Sequence, residues 1–179
     1  MNITSRFFTA VALVALLGVP ALAGADDNVS SVNKSIRVGE NSTKGNIDTV
    51  NGSITIGSNS AVKSVESVNG AIKIDNDVTV YRYIEAVNGS IKLQAGCEVG
   101  GSVVTVNGGI RMLNTRVSGD IETVNGNIRV LEGSEVAGNV VVKEPKGWSH
   151  NNRRKPVRVE IGKDVLVHGD LIFQHPVEL

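Results

Sequence analysis

The chain has 179 residues, with 18 basic and 18 acidic side chains and a formal net charge of zero. That length holds one domain, and the charge balance excludes a dedicated nucleic-acid binder, which needs a basic field. A hydrophobic content of 41% excludes a disordered chain, while 3% aromatics beside 20 glycines call for a core of small and β-branched side chains.

Residues 1–23 read as a signal peptide. Arg6 supplies the positive start, and Phe7 to Val19 is an apolar run of 13 residues, too short to span a bilayer as a helix. Ala21-Leu22-Ala23 then offers the small-x-small pattern of a cleavage site. A short buried N-terminal helix is the competing reading. Cleavage after Ala23 leaves a flexible mature start over 24–31 and removes Arg6, for 17 basic against 18 acidic residues. No later segment has the apolar length of a spanning helix, so the mature chain is expected to be periplasmic or secreted, with no transmembrane span.

An internal repeat dominates the remainder of the chain. Val-Asn-Gly occurs at Val50-Asn51-Gly52, Val68-Asn69-Gly70, Val87-Asn88-Gly89, Val106-Asn107-Gly108 and Val124-Asn125-Gly126, with Val32-Asn33-Lys34 as a degenerate first copy. From Asn33 the asparagines are spaced 18, 18, 19, 19 and 18 residues apart. Each copy continues into a short apolar stretch such as Ile72-Lys73-Ile74 or Ile110-Arg111-Met112. A second apolar position comes next at Val62, Val78, Val99, Val117 and Val136, and a third at Ile47, Val65, Ile84, Val103, Ile121 and Val140. Glycine turns such as Gly101-Ser102 and Gly119-Asp120 precede the third.

Three short strands and three turns per 18–19 residues predict an all-β fold, a single-stranded parallel β-helix of about seven coils. An antiparallel meander is the competitor, because Asn-Gly is also the strongest hairpin turn signal. Hairpins do not require the same residue on every second strand, whereas a solenoid stacks each residue on its own copy. Asn51, Gly52, Asn69, Gly70, Asn88, Gly89, Asn107, Gly108, Asn125 and Gly126 are the expected structural corner. Both residue types tolerate positive φ, and stacked asparagines can hydrogen-bond along the axis. Whether the corner valines point in or out is not fixed by counting. Counting by two back from Ile128 places Val124 inside but also Glu122, whereas counting forward from Ile121 places Thr123 inside and Val124 outside, so a corner must break the alternation between them. Inward valines are favoured, since burying Glu would cost far more. Outward valines would form an apolar association stripe.

The repeats occupy 32–142. A basic loop over 143–156 carries Trp148, Arg153, Arg154 and Lys155, and a final coil with the C-terminal edge fills 157–179. The alignment yields a basic column of Arg37, Lys73, Lys92, Arg111, Arg129 and Arg158, and an acidic column of Asp48, Glu66, Glu85 and Glu122 interrupted by Val104 and Val141. These columns read either as a solvated face or as an anionic-ligand surface, formed by Lys73, Lys92, Arg111, Arg129 and the Trp148 loop. Cys97, unable to form an internal bridge, reads as a buried small hydrophobe or as a reactive thiol. His150, His168 and His175 lack metal-ligand spacing, and no nucleophile elbow, phosphate loop or carboxylate pair stands out. No cofactor is implied and the chain reads as a non-enzyme.

Val117-Ser118-Gly119-Asp120-Ile121-Glu122-Thr123-Val124-Asn125-Gly126 and Gly133-Ser134-Glu135-Val136-Ala137-Gly138-Asn139-Val140 resemble the V-x-G-D-I rhythm of bactofilins and of exported adhesin-like β-solenoids of bacterial envelopes. The likeness covers about residues 32–173. It implies a non-enzymatic, polymer-forming or adhesin-like structural module of the cell envelope. Its partners would be a second copy through the terminal coils, or an envelope glycan or protein. The alternative is a binding module for an anionic polysaccharide or lipid headgroup.

Overall fold

The computed structural model describes residues 27–145 and 156–179. The expected signal peptide and most of the basic loop, with Trp148, Arg153, Arg154 and Lys155, lie outside the described residues. The rest is all-β, with every strand pair parallel, and forms a β-solenoid of about seven turns. The meander is excluded by the strand directions alone.

Each coil presents three faces. The first is an eight-stranded sheet that includes Ile36–Val38, Ile54–Ile56, Ile72–Ile74, Ile91–Leu93, Ile110–Leu113 and Ile128–Leu131. The second carries short strands such as Glu98–Val99 and Arg116–Val117, and the third carries Ile84–Asn88, Val103–Thr105, Ile121–Thr123 and Val140–Val142. In two early coils a single nine-residue strand, Thr43–Asn51 or Ala61–Asn69, runs through both the second and third faces. The solenoid also starts earlier than expected. Val29–Ser31 pairs with Ile47, Asp48 and Thr49, so only part of the 24–31 stretch remains outside the repeats.

The core is a set of columns. Ile54, Ile72, Ile91, Ile110 and Ile128 stack in register, as do Ile47, Val65, Ile84, Val103, Ile121 and Val140, and all are fully buried. Rungs about 4.8 Å apart put each aliphatic in van der Waals contact with its own copy above and below. This is why a chain almost without rings fills its interior. Cys97 is buried among small side chains, between Val78 and Thr115 in sequence-equivalent places, and its thiol donates to the Asp75 carbonyl at 2.9 Å. Burial pushes that thiol's pKa up, which disfavours the thiolate.

Two alignments are corrected by two residues. Val62 pairs with Val80, not Val78. In the last coil Val159 opposes Ile128 and Glu160 opposes Arg129, so Glu160 and not Arg158 ends the basic column. A shift of two preserves the in–out alternation, so hydrophobic pattern cannot detect it. Charge decides the second case. Glu160 meets Arg129 at 3.1 Å, and Arg158 is released to pair with Glu178 at 3.1 Å, where the expected register would have stacked Arg158 on Arg129.

The valines of the corner motif face out, against the favoured expectation. Thr49, Ser67, Ala86, Thr105, Thr123 and Val142 take the inward place instead. Val50, Val68, Val87 and Val106 are half-buried on the outside, and Val124, though 9% exposed, does not join the core cluster. Alternation therefore runs unbroken through the third face and breaks at Asn-Gly. An interior hydroxyl is tolerated because it has a partner. Thr105 donates to the Gly89 carbonyl at 3.0 Å, Thr123 to Gly108 at 3.3 Å and Thr49 to Lys34 at 3.2 Å.

Candidate functional site

With no cleft built by long loops among the described residues, the outer columns are the candidate surfaces. The corner between the third and first faces carries an amide ladder. The Nδ2 group of Asn51, Asn69, Asn88, Asn107 and Asn125 each donates to Oδ1 of the asparagine one coil before, at 2.9–3.0 Å. The axial hydrogen bonding expected of these residues is thus present. The expected positive φ is not. The left-handed residues are Asn41, Asn59, Asp77, Gly96, Asn114, Gly133 and Asp164, one per coil at the corner between the first and second faces. Gly52, Gly70, Gly89, Gly108 and Gly126 are glycines for a different reason. A Cβ at Gly70, Gly89 or Gly126 would lie 2.0 Å from the carbonyl oxygen of the glycine one coil earlier. Close coil-to-coil approach, not backbone conformation, demands them.

Next to the ladder runs a column of Ser35, Ser53, Ala71, Ser90, Gly109 and Asn127, small in all but the last, and beyond it the basic column. Strand register places Arg37, Thr55, Lys73, Lys92, Arg111, Arg129 and Glu160 one above another on the outside of the first face. Lys73 is held by Asp75 at 2.6 Å and Arg129 by Glu160. Among the described residues, Arg37, Lys92 and Arg111 have no acidic partner. The four expected basic residues of the solenoid are therefore brought into one file, and the two free ones in its middle occupy adjacent rungs.

The second face holds a ladder that the sequence alignment missed. Arg116 lies 3.8 Å from Glu98 and 3.0 Å from Glu135, and His168 Nε2 lies 3.0 Å from Glu135. The hydrogen bond from His168, and then that from Arg116, hold the Glu135 carboxyl below its usual pKa. The signal was legible as Glu98, Arg116 and Glu135, each one residue before an inward valine, with alternating sign. His175 is unrelated to it and donates from Nε2 to the Val124 carbonyl at 3.2 Å. No group of three or more metal-ligating side chains occurs among the described residues.

On the third face the acidic column is confirmed, with Asp48, Glu66, Glu85, Val104, Glu122 and Val141 in register. Tyr83 donates its hydroxyl to Glu66 Oε1 at 2.7 Å, and Glu122 takes Lys143 at 2.9 Å. Burial, and then the acceptor Glu66, push the Tyr83 phenol up to about 12. Burial, and then the charge of Glu66, push Asp48 up to about 6, although Ser30 donates to it at 3.3 Å.

The folded pKa of Asp48 lies above its unfolded value near 3.8, so its ionised form is disfavoured by folding. The penalty is full above pH 6 and disappears as the pH falls below about 4. Asp48→Asn is accordingly expected to stabilise the protein by about 1 kcal/mol at pH 7–8, once screening of this half-buried group is allowed for. The two proteins should converge near pH 4. Urea midpoints measured from pH 4 to pH 8 test this, and a gain that grows toward acid would contradict it.

These features define the class: a single-stranded parallel β-solenoid braced by an external amide ladder. Comparison with protein-family models, with curated proteins and with solved structures finds no match to this chain.

Proposed function

We propose that this chain is a non-catalytic, exported structural module of the bacterial envelope, adhesin-like and able to assemble through its terminal coils in the periplasm or outside the cell. One observation carries the reading. Leu171 and Ile161 occupy core columns whose neighbours Val140 and Val130 are fully buried, yet they are 47% and 37% exposed. Among the described residues, the strands Leu166–Val167 and Leu171–Phe173 each pair on one side only. An end that leaves aliphatic side chains and backbone groups uncovered is a template for another chain. The leader-like first 23 residues and the resemblance to polymer-forming solenoids support the same reading.

The test is direct. Protein exported from cells and starting at Gly24 should form oligomers or filaments whose size grows with concentration, as seen by light scattering and negative-stain microscopy. Monomers alone at high concentration, or exported protein that retains Met1, would count against it. A second reading, binding of an anionic polysaccharide or lipid headgroup, is favoured by Arg37, Lys92 and Arg111, which have no acidic partner among the described residues.

A further inference from the structure

We propose that the first face is a template for one linear acidic polysaccharide of the polyuronate class, lying parallel to the solenoid axis with its carboxylates meeting successive rungs. The inference rests on the second reading of the function and adds the ligand's class and direction. Register alone sets the geometry, because six successive rungs from Arg37 to Arg129 share one outward column, with only Thr55 uncharged.

Lys92 and Arg111 oppose each other directly, as do Lys73 and Lys92. Like charges about 5 Å apart repel by roughly 0.8 kcal/mol in water. Asp75 relieves Lys73 and Glu160 relieves Arg129, but no acidic side chain among the described residues relieves Lys92 or Arg111. A polymer that carries one carboxylate per sugar spaces its charge on the length scale of a rung, about 4.8 Å, and would neutralise the adjacent Lys92 and Arg111 that no carboxylate among the described residues relieves. The adjacent column of Ser53, Ala71, Ser90 and Gly109 is low enough for a sugar ring to rest on. The asparagine corner beyond it supplies amide groups to ring hydroxyls.

The cations stand in a single file, which suits a linear chain. A bilayer surface would engage charges spread across a face. The near-zero net charge of the protein argues against a nucleic acid, whose affinity depends on many phosphate contacts.

Calorimetric titration of the mature chain with oligogalacturonates of two, four and six sugars tests the proposal, with phosphatidylglycerol vesicles run in parallel. Affinity should rise with oligomer length. Lys92→Ala combined with Arg111→Ala should weaken the six-sugar complex at least about fivefold, and raising the salt should weaken it further. Both side chains point outward and removing them relieves like-charge repulsion, so the thermal midpoint should not fall, and Arg82→Ala, on another face, should bind as the parent does. Binding that is independent of length, or unaffected by the paired substitution, would overturn the axial template while leaving the anionic-ligand reading in place. Binding to vesicles and to no oligomer would overturn the polysaccharide and leave the lipid arm. Binding to none would overturn the proposal and the second reading together.

Discussion

Gly108→Ala is expected to cost about 3 kcal/mol or more and to open the solenoid in its middle. The new methyl would lie 2.1 Å from the Gly89 carbonyl oxygen and 2.5 Å from its carbon. Neither is the movable tip of a side chain. Relief requires the two coils to part, which lengthens the hydrogen bond of 2.9 Å from Asn107 Nδ2 to Asn88 Oδ1 and the ladder on either side of it. The Gly89 carbonyl also accepts the buried Thr105 hydroxyl, so that bond is strained as well. Gly39→Ala is the matched control. Its nearest neighbour would be the Ser42 hydroxyl at 3.7 Å, ordinary van der Waals contact, and it should change stability by less than about 0.5 kcal/mol. Urea unfolding followed by circular dichroism reads both. Equal midpoints for the two variants would contradict the stacking distance at this corner.

Ile91→Ala should cost about 3–4 kcal/mol, because its side chain is fully buried between Ile72 and Ile110 and the stacked backbone cannot collapse into the space. Leu171→Ala removes a similar volume but from a residue 47% exposed, and should cost less than about 1.5 kcal/mol. The contrast measures a property of the solenoid itself. An interior coil is stabilised by two neighbours and the last coil by one, so position along the axis should predict the cost better than residue type. Comparable losses at both sites would mean that the final coil is covered in solution, as an assembled end would be. Measuring the Leu171→Ala loss at several protein concentrations separates those cases, since only an assembled end makes it concentration-dependent.

Much of this architecture was legible in the sequence for one reason: identical residues at an 18–19-residue interval must stack. That interval located the core columns of isoleucine and valine, the Asn ladder, the file of basic residues and the interrupted acidic column. It failed wherever two arrangements satisfied the same pattern. A slip of two residues leaves every side chain on its original face, so the partners of Val62 and of Arg129 could not be read from hydrophobicity. Counting forward from Ile121 places Thr123 inside, but the two counts disagree, and the choice between them rests on the hydroxyl's acceptor, a glycine carbonyl on the previous coil. The same close approach explains why those glycines are required without positive φ, while the left-handed corner fell to Asn41, Asn59, Asp77 and their equivalents.

The sequence by itself therefore determined the class of fold, the direction of stacking and which residue types share a column, because periodicity and side-chain alternation are properties of one strand. Only the tertiary structure decided which way the corner valines point and how the last coil is registered. It alone also decided which cations among the described residues lack an acidic partner. Each of these depends on what a neighbouring coil places opposite: a carbonyl to accept a hydroxyl, a carboxylate to meet a guanidinium, or nothing at all.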